Sequence, residues 1–283
     1  DGTLLNGFKK MGCRTWGLDP IDLHDRRGTD VFVQGYCDIS TVVREKLAGF
    51  DVVTATNVLA HAADPRAFLL ACERMIAPQG TIVVEVPYAL EMLAQNQFDT
   101  VYFEHVSYFT LSSLCRLAAS ANLRIDSVHE IGIHGGSLRI AMKRSGGRAL
   151  HCDDAARLCE RERGLVLVLA QNAQARADQV CGELRDMVSV QRAKGRRVVG
   201  FGASGKSSIV LNAAQVDLDF IVDQTPAKIG KLSPGRDIPI IDLTQLPSDN
   251  VPTDHVILAW NCLDECLAKI RSVRTGGTQD GMI

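Results

Sequence analysis

The stretch DTVYFEHVSYFT gathers side chains that can move a proton: Tyr102, Glu104 and His105, with Tyr108 close behind. An imidazole changes charge near neutral pH, and a neighbouring carboxylate raises its basicity, so His105 suits a general base. The plain alternative is a structural histidine in a loop. His61, in NVLAHAADP, is a second candidate, although a histidine there also suits helix entry. A different chemistry is written in Gly200-Phe201-Gly202-Ala203-Ser204-Gly205-Lys206-Ser207, which fits both G-x-x-x-x-G-K-S and G-x-G-x-x-G. Both patterns use glycines for close backbone approach and a helix N-terminus for a phosphate. Asp223, closing LDFIVD, would then be a magnesium or a ribose ligand, and the spacing fits either. The same glycines also suit tight strand-to-helix packing with no ligand at all.

Helices and strands alternate around these residues. LLNGFKKMG reads as helix, CRTWGLDP as strand and turn, TVVREKLAG as helix and FDVVTATNVL as a β-branched strand. DPRAFLLACERMIAPQG reads as one helix, with Asp64 as N-cap, Pro65 at its first position and Gly80 as its stop. GTIVVEVP follows as an apolar strand, then LSSLCRLAASANL as helix. RIDSVHEIGIH and SLRIAMKR, split by Gly135-Gly136, read as a hairpin. Parallel strands, five or more, ending in an antiparallel pair make the sheet of class I methyltransferases. The predicted class is therefore α/β: a class I methyltransferase Rossmann-like domain over 1–145, a charged helical linker over 146–195, and a smaller Rossmann-like α/β domain over 196–283.

In such sheets S-adenosylmethionine binds at the carboxyl ends of the strands. Asp1-Gly2 is then the remnant of a glycine loop, with the strand feeding it expected to be missing. Asp19 in WGLDP suits the ribose hydroxyls, Asp38 in YCDI the adenine amino group, and Asn57 in TATNVL a position beside the sulfonium. Each acid alone is as readily a turn residue or helix cap; their joint placement at successive strand ends carries the reading.

Composition narrows the class. Hydrophobic residues make up 46% and charged residues 23%, with a net charge of −2, and no basic run tracks a nucleic-acid backbone. The nine cysteines form no Cys-x-x-Cys pair and read as reduced core cysteines of a cytoplasmic protein. No signal peptide is visible, and the longest apolar run, LVLVLA at 165–170, is too short to span a membrane.

LAHAADP after a TATN strand, YFEHVSYFTLSSLCRLAASANL, IHGGSLR, VVGFGASGKSS and KIGKLSPGRDIPI together resemble the sugar C-methyltransferases, over nearly the whole chain. That family acts on thymidine-diphosphate-linked 4-keto-deoxysugars, D-tetronitrose being the best-known product. The resemblance implies methyl transfer from S-adenosylmethionine to C3′ of such a sugar. By the match, His105 would remove the C3′ proton, with Tyr102, Glu104 and His61 around the sugar. Gly202, Ser204, Lys206 and Ser207 would hold the diphosphate-sugar, with the site in a cleft between the two domains. The family's N-terminal four-cysteine zinc module and tyrosine-bearing helices have no counterpart in these residues, so zinc is expected only in such a module, and the likeness fades after about Arg274. Two other readings fit the residues: methylation of a different small carbonyl or hydroxyl acceptor, and a non-methylating nucleotide-binding module.

Overall fold

The computed structural model describes residues 2–22, 28–146, 151–247, 249, 251–273 and 281–282. The chain packs as two compact units, Asp1–Ala89 with Val106–Arg163, and Leu90–His105 with Gly164–Ile283. The segment 90–105, sequence neighbour of the first unit on both sides, thus belongs with the second.

The first unit runs α1 (Thr3–Lys10), β1 (Trp16–Asp19), β2 (Val31–Gln34), α2 (Ile39–Arg44), β3 (Phe50–Thr56), α3 (Pro65–Met75) and β4 (Ile76–Pro87). The chain leaves through α4 (Ala89–Ala94) and returns into α5 (Leu111–Ser120), β5 (Leu123–Ile131), β6 (Ser137–Arg144) and α6 (Asp153–Glu162). Asp64 caps α3, its carboxylate accepting from the Ala67 amide at 2.9 Å, with Pro65 at the first position. The helix is shorter than the sequence suggests. It ends at Met75 rather than at Gly80, because Pro78 pushes Ala77 out of helical backbone and residues 76–80 join β4.

Strand order is β3-β4-β6-β5, with β3 and β4 parallel and β6 antiparallel to both its neighbours. The hairpin is formed, but its first strand ends at Ile131 and the turn spans 132–136, with a 3-10 turn at Ile133–Gly135 in place of a two-glycine link. Period-two alternation places Ile82, Val84, Val86, Leu138, Ile140 and Met142 on the buried face, all essentially inaccessible. In place of one sheet with five or more parallel strands, β1 and β2 pair with each other as a separate parallel ribbon. Between β1 and β3 lies a cavity of about 740 Å³, lined by Trp16, Leu18, Val53, Ala55, Phe68 and Cys72. Among the described residues no strand joins the two sheets, which is why the parallel set is divided.

The second unit contains α7 (Leu165–Ala193), β7 (Arg197–Phe201), α8 (Gly205–Ala214), β8 (Ile221–Val222), β9 (Ile240–Ile241), β10 (Thr253–Ile257), α9 (Leu263–Val273) and β11 (Gly281–Met282). The charged stretch after residue 146 forms two helices, α6 and the 29-residue α7, broken at Gly164 by a positive φ of 78°. The sheet is wholly parallel, in the order β11-β10-β7-β8-β9. Cys181, Leu184 and Val188 of α7 pack against Val198, Leu211, Ile221 and Val256. Phe98 joins this cluster, and Arg176 donates to the carbonyls of Leu93 at 2.5 Å and Ala94 at 3.3 Å. These contacts tie the 90–105 segment to the second unit.

All nine cysteines are free thiols; Cys72, Cys115, Cys181 and Cys266 are buried and Cys13 and Cys262 exposed. Among the described residues no helix is long and apolar enough to cross a membrane, and no three His, Cys, Asp or Glu side chains are grouped to hold a metal ion.

Candidate active site

In the first unit the chemistry gathers at strand ends. Gly2, at φ 71°, is the left-handed N-cap of α1, its carbonyl accepting from the Asn6 amide at 2.8 Å. Asp1 lies outside the described residues. Asp19 closes β1, and its Oδ1 accepts from the Ile21 amide at 2.9 Å in a tight turn. Asp38 is the N-cap of α2: Oδ1 accepts from the Thr41 amide and the Ser40 hydroxyl, both at 2.7 Å, and these bonds hold its pKa below the ordinary carboxylate value.

Asn57 differs from these. It follows β3 in the left-handed region at φ 55°, its amide donating to the Glu85 carbonyl at 2.9 Å. Its side-chain Oδ1 is buried with no hydrogen-bond partner. A buried acceptor left unpaired costs about 1–3 kcal/mol, and asparagine is among the few non-glycine residues that enter that backbone region readily. An unpaired buried acceptor at the carboxyl end of a parallel strand makes Asn57 a candidate ligand contact. On the next strand Glu85, 4% exposed, receives Nε and Nη2 of Arg139 at 3.0 and 2.9 Å. Nothing in the sequence pointed to that ion pair between a buried carboxylate and an exposed arginine.

His61 lies exposed on the 3-10 turn Leu59–His61. The Ala60 carbonyl accepts from the amides of Val106 and Ser107 at 2.9 and 3.1 Å. In the second unit, His105 is half-buried, with Nδ1 at 2.9 Å from the Thr100 carbonyl and Nε2 at 3.0 Å from the Tyr102 hydroxyl. A carbonyl only accepts, so Nδ1 carries the proton and Nε2 of the neutral ring presents its lone pair to the phenol. The two rings lie 4.2 Å apart, tilted by 32°. Glu104 and Phe103 are exposed on the same loop, Phe103 at 97%. The pair combines an acceptor for a proton with a hydroxyl donor for a developing oxyanion.

The glycine loop is differently disposed. Ser204 caps α8, its Oγ accepting from the Ser207 amide at 3.2 Å, while Ser207 is buried and donates its hydroxyl to the Ser204 carbonyl at 2.5 Å. The Ala203 amide donates to Asp223 Oδ2 at 2.8 Å, so a carboxylate stands where a phosphate would need that donor. A Cβ on Gly200 would lie 2.7 Å from a Leu258 methyl, and one on Gly202, at φ 95°, 2.7 Å from the Ala259 Cβ. Packing therefore accounts for both glycines. The Lys206 ammonium sits 4.6 Å above the Trp260 ring, and burial lowers its basicity against the pull of Asp99. The Trp260 indole N–H donates to Asp99 Oδ2 at 2.6 Å. Neither residue was singled out from sequence: Asp99 and Trp260 stand 161 positions apart, and local patterns do not report such pairs.

Comparison with known proteins adds the family. A family model described as the C-methyltransferase C-terminal domain matches residues 132–280, and a methyltransferase-domain model matches residues 1–128. The chain belongs to the C-methyltransferase family. As a member of it, it is 32% identical over 277 residues to the C-methyltransferase NovU of Streptomyces niveus, covering 94% of this chain. The chain spans 66% of NovU's own length. Among solved structures, this chain aligns with NcsB1, an O-methyltransferase of neocarzinostatin biosynthesis in complex with S-adenosylmethionine and 2-hydroxy-5-methyl naphthoic acid. The TM-score is 0.39 at 20% identity, over 50% of this chain and 46% of that one. Another is CrArsM, an arsenic(III) S-adenosylmethionine methyltransferase of Chlamydomonas reinhardtii, with TM-score 0.35 and 18% identity over 47% of this chain and 56% of that one.

Proposed function

We propose that this protein is an S-adenosylmethionine-dependent C-methyltransferase that methylates a carbon next to a ketone in a small molecule, namely C3′ of a thymidine-diphosphate-linked 4-keto-deoxysugar. The observation that carries the reaction type is the His105–Tyr102 pair, in which the geometry leaves the basic nitrogen of a neutral imidazole against a phenol. The match of residues 1–128 to a methyltransferase-domain model supports S-adenosylmethionine as the donor. The residues fit such a donor: the unpaired buried Asn57 Oδ1 stands at a strand end, where a ligand's N–H would complete it. Gly2, Asp19 and Asp38 are the further candidates for holding it. When bound, S-adenosylmethionine supplies an electrophilic methyl group to the acceptor carbon.

The chain's own residues do the rest. His105 Nε2 takes the proton from the carbon beside the ketone, and the Thr100 carbonyl on Nδ1–H steadies the imidazolium that results. Rotation of Tyr102 frees its hydroxyl from Nε2 to donate to the enolate oxygen, where a well-aimed donor is most effective. Glu104 and His61 are candidates for orienting the sugar. For the glycine loop, Lys206 and the Gly202 turn are the leading candidate contacts to the diphosphate; Ser204 Oγ and the Ser207 hydroxyl already take part in the start of α8.

The test is methyl transfer to a panel of thymidine-diphosphate 4-keto-deoxysugars and to unrelated ketones and phenols, read by mass gain and by the position of the new carbon–carbon bond. Calorimetry with S-adenosylhomocysteine, NAD and ATP runs beside it. A C3′-methylated sugar and binding of S-adenosylhomocysteine alone would uphold the proposal. Methylation only of another acceptor would move the substrate, and binding of ATP or NAD alone would end the methyltransferase reading.

A further inference from the structure

The orientation of the His105 ring depends on where the Thr100 carbonyl is held. Thr100 ends the 3-10 turn Phe98–Thr100, a single turn whose N-cap, Gln97, makes no side-chain cap. One turn of this kind has little stability of its own and takes its geometry from its anchors. Phe98 is packed on the apolar cluster beneath α7 and α8. Asp99, 3% exposed, faces the opposite requirement, because a buried carboxylate is tolerated only where donors meet it. The Trp260 indole N–H meets it at 2.6 Å, a short charge-assisted bond. Lys206, from the first turn of α8, lies over the face of that indole and fixes the ring from the other side.

We infer that Trp260 is a positioning residue for His105: through Asp99 it fixes the 98–100 turn, and hence the carbonyl that sets the tautomer and direction of the imidazole. Lys206 is the clamp that holds Trp260 in place. The inference rests on the reading of His105 as the base, so its test needs a readout that does not depend on turnover.

That readout is nitrogen NMR of 15N-histidine-labelled protein, with His105 assigned by its loss in His105→Asn, alongside kcat and KM for methyl transfer. Trp260→Phe keeps a ring and removes the N–H. It is expected to convert the single Nδ1–H tautomer of His105 into a mixture and to lower kcat about tenfold, with KM for both substrates within about twofold. Asp99→Leu is expected to do the same, whereas Asp99→Asn, which keeps an acceptor for the indole, restores the wild-type behaviour. These two decide the matter if Trp260→Phe does not fold. An unchanged tautomer or an unchanged kcat in the folded variants overturns the inference. Normal turnover by His105→Asn would instead remove the base reading, and the NMR comparison alone would then judge whether Trp260 orients the ring.

Discussion

The strand end at Asn57 and the glycine loop at 200–207 are both places where a parallel strand gives way to a turn, and they are finished in opposite ways. At Asn57 the backbone is left-handed and a buried oxygen is left unmatched. In the glycine loop Ser204, Ser207 and the Ala203 amide are matched by partners within the same unit. The loop is far the more conspicuous in sequence, since it fits two phosphate-binding patterns at once. The unmatched group lies with the less conspicuous residue. A motif is a statement about backbone shape; whether its polar groups still await a ligand depends on neighbours such as Asp223, which lies some 20 residues away.

The contrast is sharpest where turnover is at stake. His105→Asn is expected to lower kcat by about 10²–10⁴-fold, the range of a lost general base, while Ser204→Ala leaves kcat unchanged; steady-state assays of the two variants check this. Asn57→Gly comes next. It removes the side chain without opposing the left-handed backbone, so calorimetry is expected to find S-adenosylhomocysteine bound about tenfold more weakly, and denaturant titration a fold at least as stable as before. Weaker stability together with unchanged affinity would make Asn57 a structural residue and erase the contrast. Ser204→Ala is expected to cost about 1 kcal/mol of stability through the lost cap of α8, with phosphate-ligand affinity unaltered. A loss of affinity for the nucleotide sugar there would show the loop to be a ligand cradle after all.

The smallest effect concerns a matched group in the first unit. His151 Nδ1 accepts from the Ile125 amide at 3.0 Å, and burial holds the ring's proton affinity below the ordinary value of 6.5. The unfolded chain therefore binds the extra proton first, so stability falls as pH drops through about 6.5 and levels off below the folded-state value. Urea unfolding at pH 7.5 and 5.5 should show this slope, reduced in His151→Gln.

Much of the scaffold could be read from local rules. Asp64-Pro65 announced the start of α3, Gly135-Gly136 the β5–β6 turn, and β-branched runs the strands β3 and β4, because capping, positive φ and period-two burial act over a few residues. The end of α3 was misjudged because Gly80 looked like a stop while Pro78 had already ended the helix. In the candidate site, His105, Tyr102 and Asn57 were visible by residue type and position. The tautomer of His105, the Asp223 carboxylate on the glycine loop's Ala203 amide and the Asp99–Trp260 bond were not, since each depends on partners brought together by tertiary structure.

The Asp99–Trp260 bond also has a consequence in time. Asp99 leaves the ribosome 161 residues ahead of the indole that meets its carboxylate. At the pace of synthesis, roughly 5–20 residues per second, the turn behind His105 waits on the order of ten seconds or more for its partner. A nascent chain can therefore complete the hairpin and much of the first unit while the loop that bears His105 still lacks its final anchor, and that loop should be among the last parts to gain protection from hydrogen exchange.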